Sequence, residues 1–349
     1  MKMLAETVDV VIGGDTHRDT HTLQMCTPAG APIAALTIAN DKQGFAEALA
    51  WIADQAPGAR VVLALEGTRS YGIGLSRAAQ AAGLTVLEAE RPRRSDRRRG
   101  KSDPIDAHLA AVHVLRLPVH RLSTPRADGD REALRILLGA RRELTTARTR
   151  HINRLRALLL AGDDGDRDLA RGALSDARLA TLVRRRGPAY ETSEQAVRRG
   201  EVKRLATAIR LARDDLTRNR RQILELVKAI APRLLEHVGI GPVSAAQAIV
   251  SWSHPGRCRS DAAFASLAGA APLPASSGRI VRHRLNRSGD RALNRALHDI
   301  VLTRWRVCAR THDYIQRRRA QGKSDAEIRR NLRRYIAREI YRTLEATAA

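Results

Sequence analysis

Two short runs of aliphatic residues, each ending in or just before an acid, constrain the fold of the N-terminal third most strongly. The first run, VDVVIG at residues 8–13, is followed closely by Asp15, and the second, RVVLALE at residues 60–66, ends in Glu66. Short, β-branched, apolar runs of this kind are typical of strands buried on both faces. The N-terminal third is therefore predicted to contain a sheet in which these two strands each have a carboxylate at the carboxyl end.

Three more strands and three helices complete this N-terminal pattern. Strands are predicted at residues 21–26, 33–39 and 84–89, and the turn-forming segment TPAGAP makes the first three strands of the chain an antiparallel meander. Helical patterns follow the third, fourth and fifth strands. The predicted order for residues 8–116 is three strands, helix, strand, helix, strand, helix, which indicates one α/β domain.

The middle of the chain is predicted to be helical, because strand patterns disappear from residue 128 to about 230. A first helix covers residues 131–160. A later one has apolar side chains at alternating spacings of four and three, the seam of a coiled coil, in which Asn219 is the polar exception. An amphipathic helix that packs within its own chain explains the same spacing. The seam consists of Leu205, Ile209, Ala212, Leu216, Asn219, Ile223, Leu226 and Ile230.

A third region is predicted from residue 233. It combines a helix at residues 261–270, the loop APLPASSGR, a hairpin through RIVRHRL, and helices that start near Asp290 and Ser324. The predicted fold class is α/β plus mainly α. The predicted domains are residues 1–125 (α/β), 126–232 (helical, coiled coil, linker and oligomerisation) and 233–349 (mostly helical).

The charge of the chain predicts a polyanionic partner. Lys and Arg number 62 against 37 Asp and Glu, for a formal net charge of +25 in 349 residues. Neutralising phosphates releases condensed counterions, so nucleic acid is the expected partner. Aromatic residues make up only 3% of the chain, which argues against base stacking and for contact through phosphates. No apolar run is long enough to span a membrane, so we expect a soluble, intracellular protein without a membrane partner.

Four carboxylates are predicted to meet at one edge of the sheet. Asp15 and Glu66 end strands, and Asp103 and Asp106 in KSDPIDAHLA stand three residues apart on one helix face. Clustered carboxylates repel one another unless a cation lies among them. Oxygen ligands favour Mg²⁺ or Mn²⁺, which can support cleavage of a phosphodiester.

Each of these acids also has a structural explanation. Asp103, which precedes Pro104, could be a helix N-cap, and Asp106 could offset the helix dipole or pair with an arginine. Asp15 could start a turn. Glu66 alone has no evident structural task. The metal site is favoured by the four acids taken together, because each one stands in order at the end of a strand or the start of a helix.

Five motifs in order resemble the DEDD-type insertion-sequence transposases, the family described as RNA-guided bridge recombinases, to which DNA invertases of pilin genes are related. These motifs are IGGDT (12–16), ALEGTRSYG (64–72), KSDPIDA (101–107), FASLAGAAPLPASSGR (264–279) and LNRSGDRALNRAL (285–297). The resemblance implies an RNase H-like (RuvC-like) fold for the N-terminal domain and a transposase domain at the C-terminus. It covers nearly the whole chain.

The resemblance also implies roles for single residues. Asp15, Glu66, Asp103 and Asp106 would be catalytic metal ligands for Mg²⁺ or Mn²⁺, and Ser277, or its neighbour Ser276, the nucleophile. Two positions depart from the family: Gly14 replaces a common aliphatic residue and His17 a common lysine. The residues expected to hold nucleic-acid phosphates are Arg93, Arg94, Arg97, Arg98, Arg99, Lys101 and Arg279.

The implied function is metal-assisted, serine-dependent DNA cleavage and strand exchange. The implied partners are donor and target DNA, a noncoding guide RNA and further copies of the chain in a dimer or tetramer, in the bacterial cytoplasm. Two alternatives remain open: a structure-specific endonuclease that uses only the carboxylates and water, and a nucleic-acid-binding protein without enzymatic activity.

Overall fold

The chain forms two compact units, Met1–Glu132 and Ala133–Ala349. The computed structural model describes residues 2–90, 102–126, 128–275, 283–286 and 288–348. The predicted domain boundaries near residues 125 and 232 stay predictions.

The described residues of the N-terminal unit contain five strands and three α-helices in the predicted order. They are β1 Val10–Thr16, β2 Thr20–Cys26, β3 Pro32–Ala39, α1 Lys42–Gln55, β4 Val61–Leu65, α2 Ile73–Ala81, β5 Thr85–Glu88 and α3 Asp103–Leu115. The sheet has the order β3-β2-β1-β4-β5. Strands β1, β2 and β3 are antiparallel neighbours, as predicted, while β4 runs parallel to both β1 and β5.

Helices cover both faces of this sheet, which is why β4 and the first half of β1 are apolar. Alternate residues of β1 belong to different cores: Val10 and Ile12 pack with α1 and α2, whereas Val11 packs with α3. This alternation follows from the two-residue period of a strand. It assigns each residue of β1 and β4 to a known face of the sheet.

The C-terminal unit is mainly helical, with one short hairpin. Helix α4 begins at the end of the first unit. The elements are α4 Gly129–Leu160, α5 Asp164–Arg171, α6 Asp176–Arg184, α7 Ser193–Ile230, α8 Pro242–Trp252, α9 Asp261–Leu267, β6 Leu273–Pro274, β7 His283–Arg284, α10 Arg291–Val307, α11 Ala309–Ala320 and α12 Asp325–Ala348.

The apolar seam of α7 packs within its own chain. Side chains from Leu205 to Ile223 along the seam are buried, and the Asn219 amide donates a hydrogen bond to the Leu137 carbonyl of α4 at 2.9 Å. Arg141 of α4 in turn donates to the Leu216 carbonyl at 3.1 Å. These contacts favour the in-chain explanation of the spacing, and association of copies through α7 stays a prediction.

No helix in the described part of the chain is long and apolar enough to cross a lipid bilayer.

Candidate metal centre

Helix α3 packs directly on the backbone of β1. A Cβ atom at Gly13 would lie 1.9 Å from the Ala107 carbonyl oxygen and 2.7 Å from the Ala111 nitrogen. Only glycine allows so close an approach. Because Ala107 faces Gly13, the first turn of α3 lies beside the carboxyl end of β1, where Asp15 stands.

Asp15 and Glu66 occupy neighbouring positions on adjacent strands. Gly14 pairs with Leu65 in the parallel register of β1 and β4, and the Glu66 N–H donates to the Gly14 carbonyl at 3.1 Å. Since Gly13 faces α3, alternation directs Asp15 and Glu66 to that same face. Both residues are buried, at 7% and 9% exposure.

The turn after β4 is held against β1. The Thr16 hydroxyl donates to the Glu66 carbonyl at 3.0 Å. Gly67 follows with a φ of +61°, and a Cβ there would lie 2.7 Å from the Thr16 hydroxyl oxygen. The Glu-Gly pair of the second motif thus places a carboxylate and a left-handed turn together beside the end of β1.

Asp103 and Asp106 both lie in the first turn of α3, but in different surroundings. Ser102 is the N-cap, so the interpretation of Asp103 as the N-cap is wrong; Asp103 is the first helical residue and precedes Pro104. The Asp103 side chain is 54% exposed, whereas Asp106 is buried at 4%. Acids in this turn are stabilised by the helix dipole.

His17 joins the two motifs. Its Nε2 atom lies 3.2 Å from an Asp15 carboxylate oxygen and 3.4 Å from an Asp103 carboxylate oxygen. One ligand atom from each of Asp15, His17 and Asp103 lies within 4.8 Å of the others. Opposite ligands of an octahedral Mg²⁺ stand about 4.2 Å apart. The donor set of two carboxylates and an imidazole therefore fits one divalent cation.

The surroundings of Asp15 oppose its ionisation. The pKa of Asp15 is raised mainly by burial, and the neighbouring charges of Asp106 and Asp103 raise it further, while His17 acts in the opposite direction. Asp106 is thus close enough to act on Asp15 electrostatically. A divalent cation would remove this repulsion and favour the ionised carboxylates.

The structure brings together Asp15 and Asp103 at His17. It places Asp106 in the same first turn of α3 as Asp103, and Glu66 directly after β4, the strand next to β1. Sequence reasoning did not include His17 in the ligand set, although its place two residues after Asp15 was a usable signal. The other predicted site residues lie outside the described residues; they are Arg93, Arg94, Arg97, Arg98, Arg99, Lys101, Ser277 with its alternative Ser276, and Arg279.

Comparison with protein families adds an independent observation. Residues 12–161 match a DEDD-type model described as a transposase, and residues 231–316 match a model described as the transposase IS116/IS110/IS902 family. None of the curated proteins compared with the chain matches it. The first match contains all four carboxylates, and the second contains the SSG segment. With the two models matching in this order along one chain, the protein belongs to the IS110-type family of DEDD transposases.

Proposed function

We propose that the protein is a DNA recombinase that cuts and rejoins strands at a divalent-metal centre formed by Asp15, Glu66, Asp103 and Asp106. The observation that carries this proposal is the cluster of Asp15, His17 and Asp103, whose ligand atoms lie within 4.8 Å of one another. A Mg²⁺ or Mn²⁺ ion held there supplies Lewis-acid stabilisation of charge on phosphodiester oxygens. Membership of a transposase family supports DNA as the substrate.

Ser277 is the proposed nucleophile. Its oxygen loses a proton and attacks phosphorus, and the bond from phosphorus to one deoxyribose oxygen breaks as that oxygen takes up a proton. The products are a phosphoserine and a free deoxyribose hydroxyl. The reverse attack by a hydroxyl of another strand releases the serine and completes exchange, and the energy of the phosphodiester bond is kept throughout. A base or a metal ion must help to remove the serine proton, because a serine hydroxyl is a weak nucleophile.

The proposed partners follow from charge and from the exchange reaction. A net charge of +25 suits donor DNA, target DNA and a noncoding guide RNA. The arginine run at 93–99, Lys101 and Arg279 are proposed to hold phosphates. Exchange between two duplexes needs several active sites, and therefore a dimer or tetramer in the cytoplasm.

The N-terminal unit is proposed to be RNase H-like (RuvC-like). Three antiparallel strands followed by two parallel ones, in the order β3-β2-β1-β4-β5, support this assignment. Carboxylates at the ends of the two central strands and on α3 are in keeping with it.

Hydrolysis by water is the second candidate function. The cluster of Asp15, His17 and Asp103 lies wholly within the N-terminal unit, which favours an endonuclease that needs no serine. The two functions differ in the fate of the cut strand: the recombinase leaves protein attached to DNA, and the endonuclease does not.

The deciding experiment uses the purified chain with the RNA that copurifies with it. DNA spanning the ends of its own element is incubated with Mg²⁺ and wild type, Ser277→Ala or Ser276→Ala. We expect a protease-sensitive DNA adduct with wild type and Ser276→Ala, and its loss with Ser277→Ala. If the adduct is lost with Ser276→Ala and kept with Ser277→Ala, Ser276 is the nucleophile instead.

Asp15→Asn is the matched variant for the metal centre. We expect it to abolish both cutting and adduct formation while DNA binding persists. Cutting that survives in both serine variants would establish the endonuclease instead, and the absence of cutting in any variant would contradict both enzymatic proposals.

A further inference from the structure

An open cavity of about 690 Å³ lies in the C-terminal unit. Its walls come from the segment before β6, the segment that follows β7, the start of α10, and the facing parts of α11 and α12. Residues 275–282 connect β6 to β7 and contain the SSG segment. The cavity is therefore lined by both segments that lead into and out of that connection.

The cavity is strongly basic. Among the described residues that line it, seven carry cationic side chains and one, Glu327, carries a carboxylate. That carboxylate is already engaged, because it accepts from the Ser324 N–H at 3.1 Å and lies 3.6 Å from the Lys323 ammonium. The cations are Arg284, Arg291, Arg318, Lys323, Arg330, Arg333 and Arg334.

The arginines of this cavity have no carboxylate partner among the residues that the structure describes. Within the described part of the chain, none of its six guanidinium groups forms an ion pair with Asp or Glu. The Nε atoms of Arg318, Arg333 and Arg334 are buried and have no hydrogen-bond partner among the described residues. Elsewhere in the same unit arginines do find acids, as Arg319 does with Asp325 at 2.8 Å.

Arg333 shows that the positive charges in this cavity repel one another. It is partly buried and its guanidinium donates to the Asn294 side chain at 3.0 Å. Burial lowers the pKa of Arg333, and the charges of Arg330 and Arg291 lower it further. Like charges held together at a desolvated place destabilise the free protein, and an anion bound among them would relieve the repulsion.

We propose that this cavity binds a phosphate of the nucleic-acid backbone. Guanidinium forks from α10, α11 and α12 match the oxygens of a phosphodiester, which accepts two or more parallel N–H bonds. A cavity of about 690 Å³ has room for a phosphate with its sugar. The inference rests on the proposed function only in taking nucleic acid as the substrate.

The test measures binding with fluorescent duplex DNA, single-stranded DNA and RNA in EDTA, across a range of salt concentrations. The cavity variant is Arg330→Gln with Arg334→Gln. The control is Arg306→Gln with Arg310→Gln, which removes the same charge from two exposed positions in the same unit outside the cavity. Thermal unfolding establishes that both variants fold.

We expect the cavity variant to bind at least one probe about tenfold more weakly than the control does. The slope of log affinity against log salt should fall by about 0.9 for each lost contact to duplex DNA. A loss confined to DNA probes assigns the cavity to substrate, and a loss confined to RNA assigns it to the guide. Equal affinities and slopes for both variants on all probes would overturn the proposal.

Glu327→Gln provides a test that does not depend on removing arginines. The amide keeps an acceptor for Ser324 but removes the one negative charge in the lining, so affinity for the same probe should rise. An unchanged or weaker affinity counts against the cavity. Because all measurements are made without divalent metal, a chain that fails to cut DNA still gives a clear result here.

Discussion

His17 is the residue whose contacts add most to the candidate metal centre. Its imidazole nitrogen lies between carboxylate oxygens of Asp15 and Asp103, at 3.2 and 3.4 Å. Half of the side chain is open to solvent, whereas Asp15 is nearly closed off. The candidate centre is therefore closed to solvent on the side of Asp15 and open to solvent on the side of His17, which is the side from which the proposed substrate phosphate would approach.

The first prediction concerns this imidazole. Nitrogen donors favour Mn²⁺ over Mg²⁺, so His17→Ala should weaken Mn²⁺ binding by about tenfold or more and Mg²⁺ binding by less. Isothermal titration calorimetry on the full chain measures both affinities. The exposed His120→Ala is the matched control, and an unchanged preference between the two ions in His17→Ala would exclude the imidazole as a ligand.

The second prediction concerns His21 of β2. It is fully buried and stacks on Phe45 with ring centroids 6.1 Å apart. Burial lowers its pKa from 6.5, so the unfolded chain binds the proton more tightly than the folded one. The stability that a neutral His21 contributes is complete above pH 6.5 and is lost as the pH falls towards the folded pKa.

His21→Phe removes this titration and keeps the aromatic contact. The free energy of unfolding of the wild type should therefore decrease more steeply between pH 7 and 5 than that of the variant. Urea unfolding at several pH values measures the difference. Parallel pH profiles for wild type and variant would contradict the prediction, and His120→Phe should leave the wild-type profile unchanged.

At the scale of elements, the contact between α3 and β1 determines the geometry of the centre. Two motifs far apart in sequence meet because Gly13 lets the backbone of α3 approach closely. Asp15 stands two residues beyond this contact on the strand, and Asp106 directly precedes Ala107 on the helix. The positions of the ligands thus depend on a residue that is not itself a ligand.

Gly13→Ala should destabilise the protein by about 1–3 kcal/mol and weaken Mn²⁺ binding, because the new methyl group displaces α3. Gly200→Ala in α7 is the control, and its free energy of unfolding should change in the opposite direction. A Cβ added there would meet no neighbouring atom within 4 Å. The higher helix propensity of alanine should therefore stabilise that variant by roughly 0.5–1 kcal/mol. Urea unfolding and calorimetry decide the matter, and a Gly13→Ala variant with wild-type stability would show that α3 is not in close contact.

The strand pattern and the four carboxylates could be predicted from the sequence because both depend on local signals. β-Branched runs mark strands, and an acid at the end of such a run lies at a sheet edge. The contact of His17 with Asp103 and the closeness of α3 to β1 could not be predicted in this way, although the place of His17 two residues after Asp15 was a local signal. Both depend on which face of which strand meets which helix, and that information is shared between residues about 90 positions apart.

At the scale of the whole molecule, each unit has cores of its own. In the N-terminal unit, two clusters cover the two faces of the sheet, and every residue in them precedes Glu132. In the C-terminal unit, residues of α4 and α7 share a core with α8, α10 and α12. A three-part division read from local patterns cannot reveal this sharing, because helices distant in sequence pack together only in the folded chain.

The fourth prediction follows from these separate cores. A fragment of residues 1–132 should fold cooperatively, bind Mn²⁺ and lose that binding on Asp15→Asn. Thermal denaturation followed by circular dichroism, with and without Mn²⁺, measures both properties. A fragment without a cooperative transition would show that its two cores are insufficient for independent folding.

The contact at Gly13 also bears on protein engineering. One way to engineer such a protein is to exchange segments between relatives. In the sequence, β1 and α3 are far apart and look independently exchangeable. The backbone of α3, however, packs directly on the backbone of β1 at Gly13. A chimaera that imports IGGDT from one parent and KSDPIDA from another keeps all the ligands, yet it should inherit a working centre only if both parents leave the same gap between strand and helix.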